Sequence, residues 1–104
     1  MASLESEFQQ NLVKKLRKMF PDCEILKNNP NYLQGVPDLI ILWYDRYALL
    51  EVKRSYAEAF EKNVRPNQLY YVDKFNAWSF SAFIYPENEE EVLDALQRSF
   101  KNRR

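Results

Sequence analysis

The chain has 104 residues, 46% apolar and 15% aromatic, with 15 basic and 15 acidic side chains and no formal net charge. That is enough for one domain over residues 1–104, too apolar for a disordered chain, and too evenly charged for a protein that coats nucleic acid non-specifically. The absence of histidine and the single Cys23 and Gly35 exclude an imidazole base, His- or Cys-based zinc frameworks, an internal disulfide and a glycine-rich phosphate loop, leaving chemistry to carboxylates, lysine, hydroxyls and a hard metal.

Residues 3–20 read as an amphipathic helix, with Phe8, Leu12, Leu16 and Met19 on one stripe, Ser3 as N-cap and Pro21-Asp22 as its end. Residues 23–27 form a short strand, and residues 28–37, which hold two prolines, three asparagines and the only glycine, form a loop. Two central strands follow at 38–44 and 47–53, joined as a tight hairpin near Asp45-Arg46. Their continuous apolar runs, Leu39–Trp43 and 48–50, suit strands buried on both sides.

Residues 55–64 read as a charged connection, a loop over the strand ends. Pro66 starts a second helix running to Trp78, with Leu69, Val72 and Phe75 inside. A strand at 79–85 and a last helix at 87–100, acidic first and basic last, complete the order α-β-β-β-α-β-α. The expected class is α/β, a mixed sheet flanked by helices. No run approaches the ~20 apolar residues of a membrane span, and the first residues lack signal-peptide order, so the expected compartment is the cytoplasm.

The chemistry-bearing residues gather at the strand ends. Asp38 opens one central strand, while Glu51 and Lys53 close the next. Charges at the rim of a buried sheet are costly to place. A hairpin loop at Asp45-Arg46 sets Asp38 opposite Lys53, with Glu51 diagonal to it; a loop at Tyr44-Asp45 sets Asp38 opposite Glu51. Both registers keep the three on one face, where two carboxylates can converge on a divalent ion. Such an ion activates water and neutralises charge on a phosphodiester, and a lysine beside it stabilises the charge that develops. On the first helix, at about 100° per residue, Glu5 falls on the apolar stripe and Glu7 points away, so Glu5 is expected at the same site.

Gly35-Val36-Pro37-Asp38, twelve residues, then Glu51-Val52-Lys53 resembles the PD-(D/E)XK nuclease motif. The helix acid before it and the Pro66-Asn67-Gln68 helix start after it resemble the virus-type replication–repair nuclease (VRR-NUC) branch and the archaeal Holliday-junction resolvases. The resemblance implies a restriction-endonuclease-like fold. It also implies Mg²⁺- or Mn²⁺-dependent cleavage of DNA, duplex or branched, in phage or bacterial replication, repair or recombination. It makes Asp38, Glu51, the Val52 carbonyl and Glu5 metal ligands. Lys53 would orient or activate the attacking water, and Gln68 would contact the site or the backbone.

Lys27, Arg54, Lys62 and Arg65 are candidate phosphate contacts. Further cations, Lys14, Lys15, Arg17 and Lys18, cluster on the first helix. Tyr32, Tyr56, Tyr70 and Tyr71 are candidates for stacking on bases. Trp78, Phe80, Phe83 and Tyr85 carry more apolar surface than so small a domain readily buries, and the expected use of the surplus is a two-fold homodimer. Two other functions fit the same residues: a non-catalytic nucleic-acid-binding or assembly subunit, and an RNA nuclease.

Overall fold

The computed structural model describes residues 4–29, 33–60 and 66–102. It contains α1 (Leu4–Met19), β1 (Glu24–Lys27), β2 (Leu39–Trp43), β3 (Arg46–Val52), α2 (Tyr56–Phe60), α3 (Pro66–Trp78), β4 (Phe80–Ile84) and α4 (Glu89–Lys101). The strands form one sheet in the order β1-β2-β3-β4. The first two pairings are antiparallel, and β3 pairs with β4 in parallel. The architecture is therefore α/β, a four-stranded mixed sheet flanked by helices. Among the described residues, no helix is long and apolar enough to cross a membrane.

Alternation along the strands assigns each face. Leu39 and Ile41 of β2, with Ala48, Leu50 and Val52 of β3, join Leu12 and Leu16 of α1 and Leu96 and Phe100 of α4 in the main core. The opposite face of β3 and β4 meets α2 and α3 in a smaller cluster of Ala59, Val72, Phe83 and Tyr85. Thus α1 and α4 cover one face and α2 and α3 the other. A 2.7 Å ion pair from Lys15 to Glu89 ties α1 to α4.

The strand between residues 48 and 52 is buried on both faces, as its unbroken apolar run predicts. Its neighbour β2 is not: Leu42 is 39% exposed. α3 packs on β3 and β4, and β2 lies next to the edge strand β1, so the second face of β2 is only partly covered. The hairpin adopts the second of the two predicted registers, with Trp43 opposite Arg46 and a Tyr44-Asp45 loop. Tyr44 takes a positive φ of 58° in that loop.

Residues 55–60, expected as loop, include the short helix α2. Ser55 Oγ accepts the Glu58 backbone N–H at 3.2 Å, so Ser55-x-x-Glu58 is the helix-start signal that marks this turn. The apolar surplus also resolves differently from expectation. Phe83 and Tyr85 are buried, and Phe80 packs against the main core. Of that group only Trp78 remains largely exposed, at 63%.

Candidate active site

The register places the first acid. Leu39 pairs with Leu50, so one step further Asp38 faces Glu51 across the two central strands. Ladder hydrogen bonding continues on the β1 side, where the Asn28 N–H donates to the Asp38 carbonyl at 2.8 Å. On the β3 side the Asp38 side chain takes over, its Oδ2 accepting the Val52 N–H at 3.0 Å. The carboxylate thus ends the β2–β3 ladder and is held facing Glu51.

Glu51 and Lys53 are only 4% and 8% exposed. Lys53 Nζ lies 3.5 Å from Glu51 Oε2, and Gln68 Nε2 of α3 donates to the same oxygen at 3.1 Å. Gly35 fixes the approach of α3. Its φ is +90°, and a Cβ there would lie 2.6 Å from the Asn67 Cβ. Only glycine lets the loop before Asp38 touch the first turn of α3 this closely, which brings Gln68 against Glu51.

The acids sit in surroundings hostile to charge. Burial pushes the Glu51 carboxyl up to about 8, and the Asp38 charge pushes the same way against the pull of Lys53. Burial also raises Asp38, opposed by its bond from Val52 and by Lys53. Glu5, at the start of α1, is raised by burial and by the Asp38 charge while Lys53 draws it down. Glu5 stands close enough to share the field of Asp38 and Lys53. Glu7 is exposed. Among the described residues, no three Asp, Glu, Cys or His side chains come together tightly enough to hold an ion, so Asp38 and Glu51 are the close acid pair and Glu5 an outlying third.

The donors gathered here are oxygens, which suits a hard divalent cation. Gln68 Oε1 is buried beside Glu51 without a hydrogen-bond partner. An orphaned amide oxygen is destabilising unless a donor, a water or a cation satisfies it. Mg²⁺ ordinarily takes one or two carboxylates and keeps several waters, so two acids and a neighbouring amide oxygen fit such an ion.

The other predicted residues divide. Lys27 lies at the end of β1 opposite Leu39, next to the strand position of Asp38. Arg54 donates to Glu58 at 3.2 Å, and its charge is felt at Glu5. Lys62, Arg65 and Tyr32 lie outside the described residues. Tyr56 packs against Phe60 and Tyr85. Glu58 is the residue that sequence reasoning missed: from α2 it pairs with Arg54 and raises Glu5.

No family model, curated protein or solved structure matches the chain. The functional reading accordingly rests on the residues and geometry above.

Proposed function

We propose that this chain is a divalent-metal-dependent nuclease of the restriction-endonuclease-like type, hydrolysing phosphodiester bonds in DNA. The observation that carries this reading is the buried Glu51–Lys53 pair directly across from Asp38 at the shared end of two central strands. For stability alone, apolar side chains of similar volume would serve as well as a buried ion pair. The intact acid–acid–lysine set is instead what phosphodiester hydrolysis uses.

In this reading Asp38 and Glu51 hold Mg²⁺ or Mn²⁺, with the Val52 carbonyl and Gln68 Oε1 as further oxygen donors and Glu5 as an outer acid. When bound, the ion supplies a lowered water pKa and charge neutralisation at the phosphate. The protein groups do the rest. The Val52 N–H bond fixes Asp38, and Gln68 fixes Glu51. Lys53, 3.5 Å from Glu51, would set its ammonium where negative charge accumulates on the phosphate. In this reading Lys27 and Arg54 would hold flanking phosphates. One acidic site cuts one strand, so paired cuts call for a homodimer.

A second reading, a non-catalytic nucleic-acid-binding or assembly subunit, draws support from the lack of a tight three-acid group among the described residues. Incubating the protein with supercoiled plasmid, branched DNA and RNA, in Mg²⁺, Mn²⁺ or EDTA, separates these outcomes. Cleavage of DNA that stops with EDTA supports the nuclease. Cleavage confined to RNA changes the substrate class, and the absence of any cleavage alongside retained binding favours the subunit.

A further inference from the structure

Outside the acidic site, α3 carries a surface that folding does not use. Tyr70, Lys74 and Trp78 recur at four-residue steps and so form one stripe along the helix. Tyr70 is 56% exposed and Trp78 63%. Lys74 Nζ stands between them, 5.4 Å from the centre of the Tyr70 ring and 5.3 Å from that of Trp78, and donates to the Tyr70 hydroxyl at 3.4 Å. Among the described residues no carboxylate is within ion-pair distance of Lys74. A packed row of rings, Tyr70–Tyr71, Tyr71–Phe75 and Phe75–Trp78, with centres 5.2, 5.5 and 5.6 Å apart, supports the stripe from beneath.

We infer that this stripe binds a single-stranded segment of nucleic acid, with unpaired bases stacking on Tyr70 and Trp78 and a backbone phosphate taken by Lys74. Three features select that occupant. Half-exposed rings alternating with an acid-free cation match the alternation of base and phosphate along a strand. Bases in a duplex already stack on one another, so such rings have most to gain from unpaired ones. A second copy fits poorly, because a two-fold contact centred on the stripe brings each Lys74 against its symmetry mate, like charge against like.

The stripe begins in the turn that holds Gln68 against Glu51. At 1.5 Å rise per residue, Trp78 lies about 15 Å along the helix axis from Gln68. A strand lying on it leads away from the acidic site, which makes the preferred substrate one with an unpaired flank beside the cleavable bond. This inference rests on the nucleic-acid reading of that site, and binding measured without metal separates the two.

The test is fluorescence anisotropy of a labelled short oligo-dT strand and of a duplex of equal length, titrated with the intact protein in EDTA. Wild type is expected to bind the single strand more tightly than the duplex. Trp78→Ala and Tyr70→Ala should each weaken single-strand binding about fivefold or more and leave duplex binding unchanged. Trp78→Phe should retain most of the affinity. Lys74→Gln should lower the slope of log affinity against log salt by about 0.7. Circular dichroism confirms that these exposed-site variants stay folded.

Failure of wild type to bind oligo-dT, or unchanged affinity in both alanine variants, overturns the inference. So does self-association in light scattering that disappears with Trp78→Ala, since the stripe is then covered by a second copy. Oligonucleotide binding that needs Trp78, in a protein that cleaves nothing under Mg²⁺, keeps the stripe and removes the nuclease. Cleavage with no dependence of binding on Trp78 or Tyr70 does the reverse.

Discussion

Helices α3 and α4 are each thirteen residues long, yet they relate to the core in opposite ways. α4 buries Val92, Leu93, Leu96 and Phe100 and turns Glu90, Glu91, Asp94 and Arg98 to solvent. Burial accounts for its pattern of residues. α3 buries only Val72 and leaves Leu69, Tyr70 and Trp78 exposed. Its first turn delivers Gln68 to a carboxylate, and its outer stripe carries rings that the described fold leaves more than half exposed. Where burial explains every apolar position, as in α4, function has little left to claim. Where it does not, as in α3, the unexplained residues point to contacts with something else.

The largest effect should fall on the acids that α3 serves. Asp38→Ala or Glu51→Ala should lower DNA cleavage about a thousandfold or more, in a protein whose circular dichroism is unchanged. Wild-type-like rates in either variant would remove the site assignment. Lys53→Ala should also cut the rate by orders of magnitude with little change in metal affinity, because it acts where charge develops.

Stability should separate the two helices directly. Leu96 is fully buried, and Leu96→Ala should cost about 2–5 kcal/mol in urea unfolding. Trp78→Ala should change stability by about 0.5 kcal/mol or less, as surface substitutions do. Comparable losses in both would mean that α3 packs more completely than its exposed residues indicate.

The titration of Glu51 sharpens the contrast at the first turn of α3. Its folded carboxyl is raised from an ordinary 4.5 to about 8, so the native state holds this proton more tightly than the unfolded chain. The resulting stability is fully present below about 4.5 and is lost as pH rises towards about 8. Asp38 and Glu5, both raised, act in the same direction. Melting temperature without metal should therefore fall across that window. Excess Mg²⁺ should restore it most at the alkaline end, where the ligand is ionised, and Glu51→Gln should flatten the profile. A metal-free melting temperature that rises from pH 5 to 8 would contradict the burial of these acids.

The smallest effect is a paired one on α1. Glu5→Gln should weaken metal binding or turnover about tenfold, as outer-sphere changes do, with Glu7→Gln close to neutral. The reverse ranking would show that the helix presents a different face to the site.

Much of this arrangement is legible along the chain, and the reason differs from element to element. Unbroken apolar runs locate β2 and β3, a 3.6-residue stripe locates α1, and Pro66 marks the start of α3. Period-two alternation alone puts Asp38, Glu51 and Lys53 on one face, because either hairpin register preserves it. Those signals are local, and a local pattern survives in any tertiary context that buries the same face.

Other features depend on which distant surfaces meet. The choice of Asp38 facing Glu51 was settled by the hairpin loop at Tyr44-Asp45. The open face of β2 follows from α3 sitting over β3 and β4, and the burial of Phe83 and Tyr85 from α2 and α3 closing on that side. The capping signal of α2 was present at Ser55 and Glu58 but spans one turn, too short for periodicity to register. Gln68 met Glu51 because Gly35 lets two backbones touch. The residue types at the site and the face they share were thus determined by the sequence itself. Their mutual distances, their burial and the stripe left bare on α3 were decided only by tertiary packing, because each depends on contacts between segments far apart in the chain.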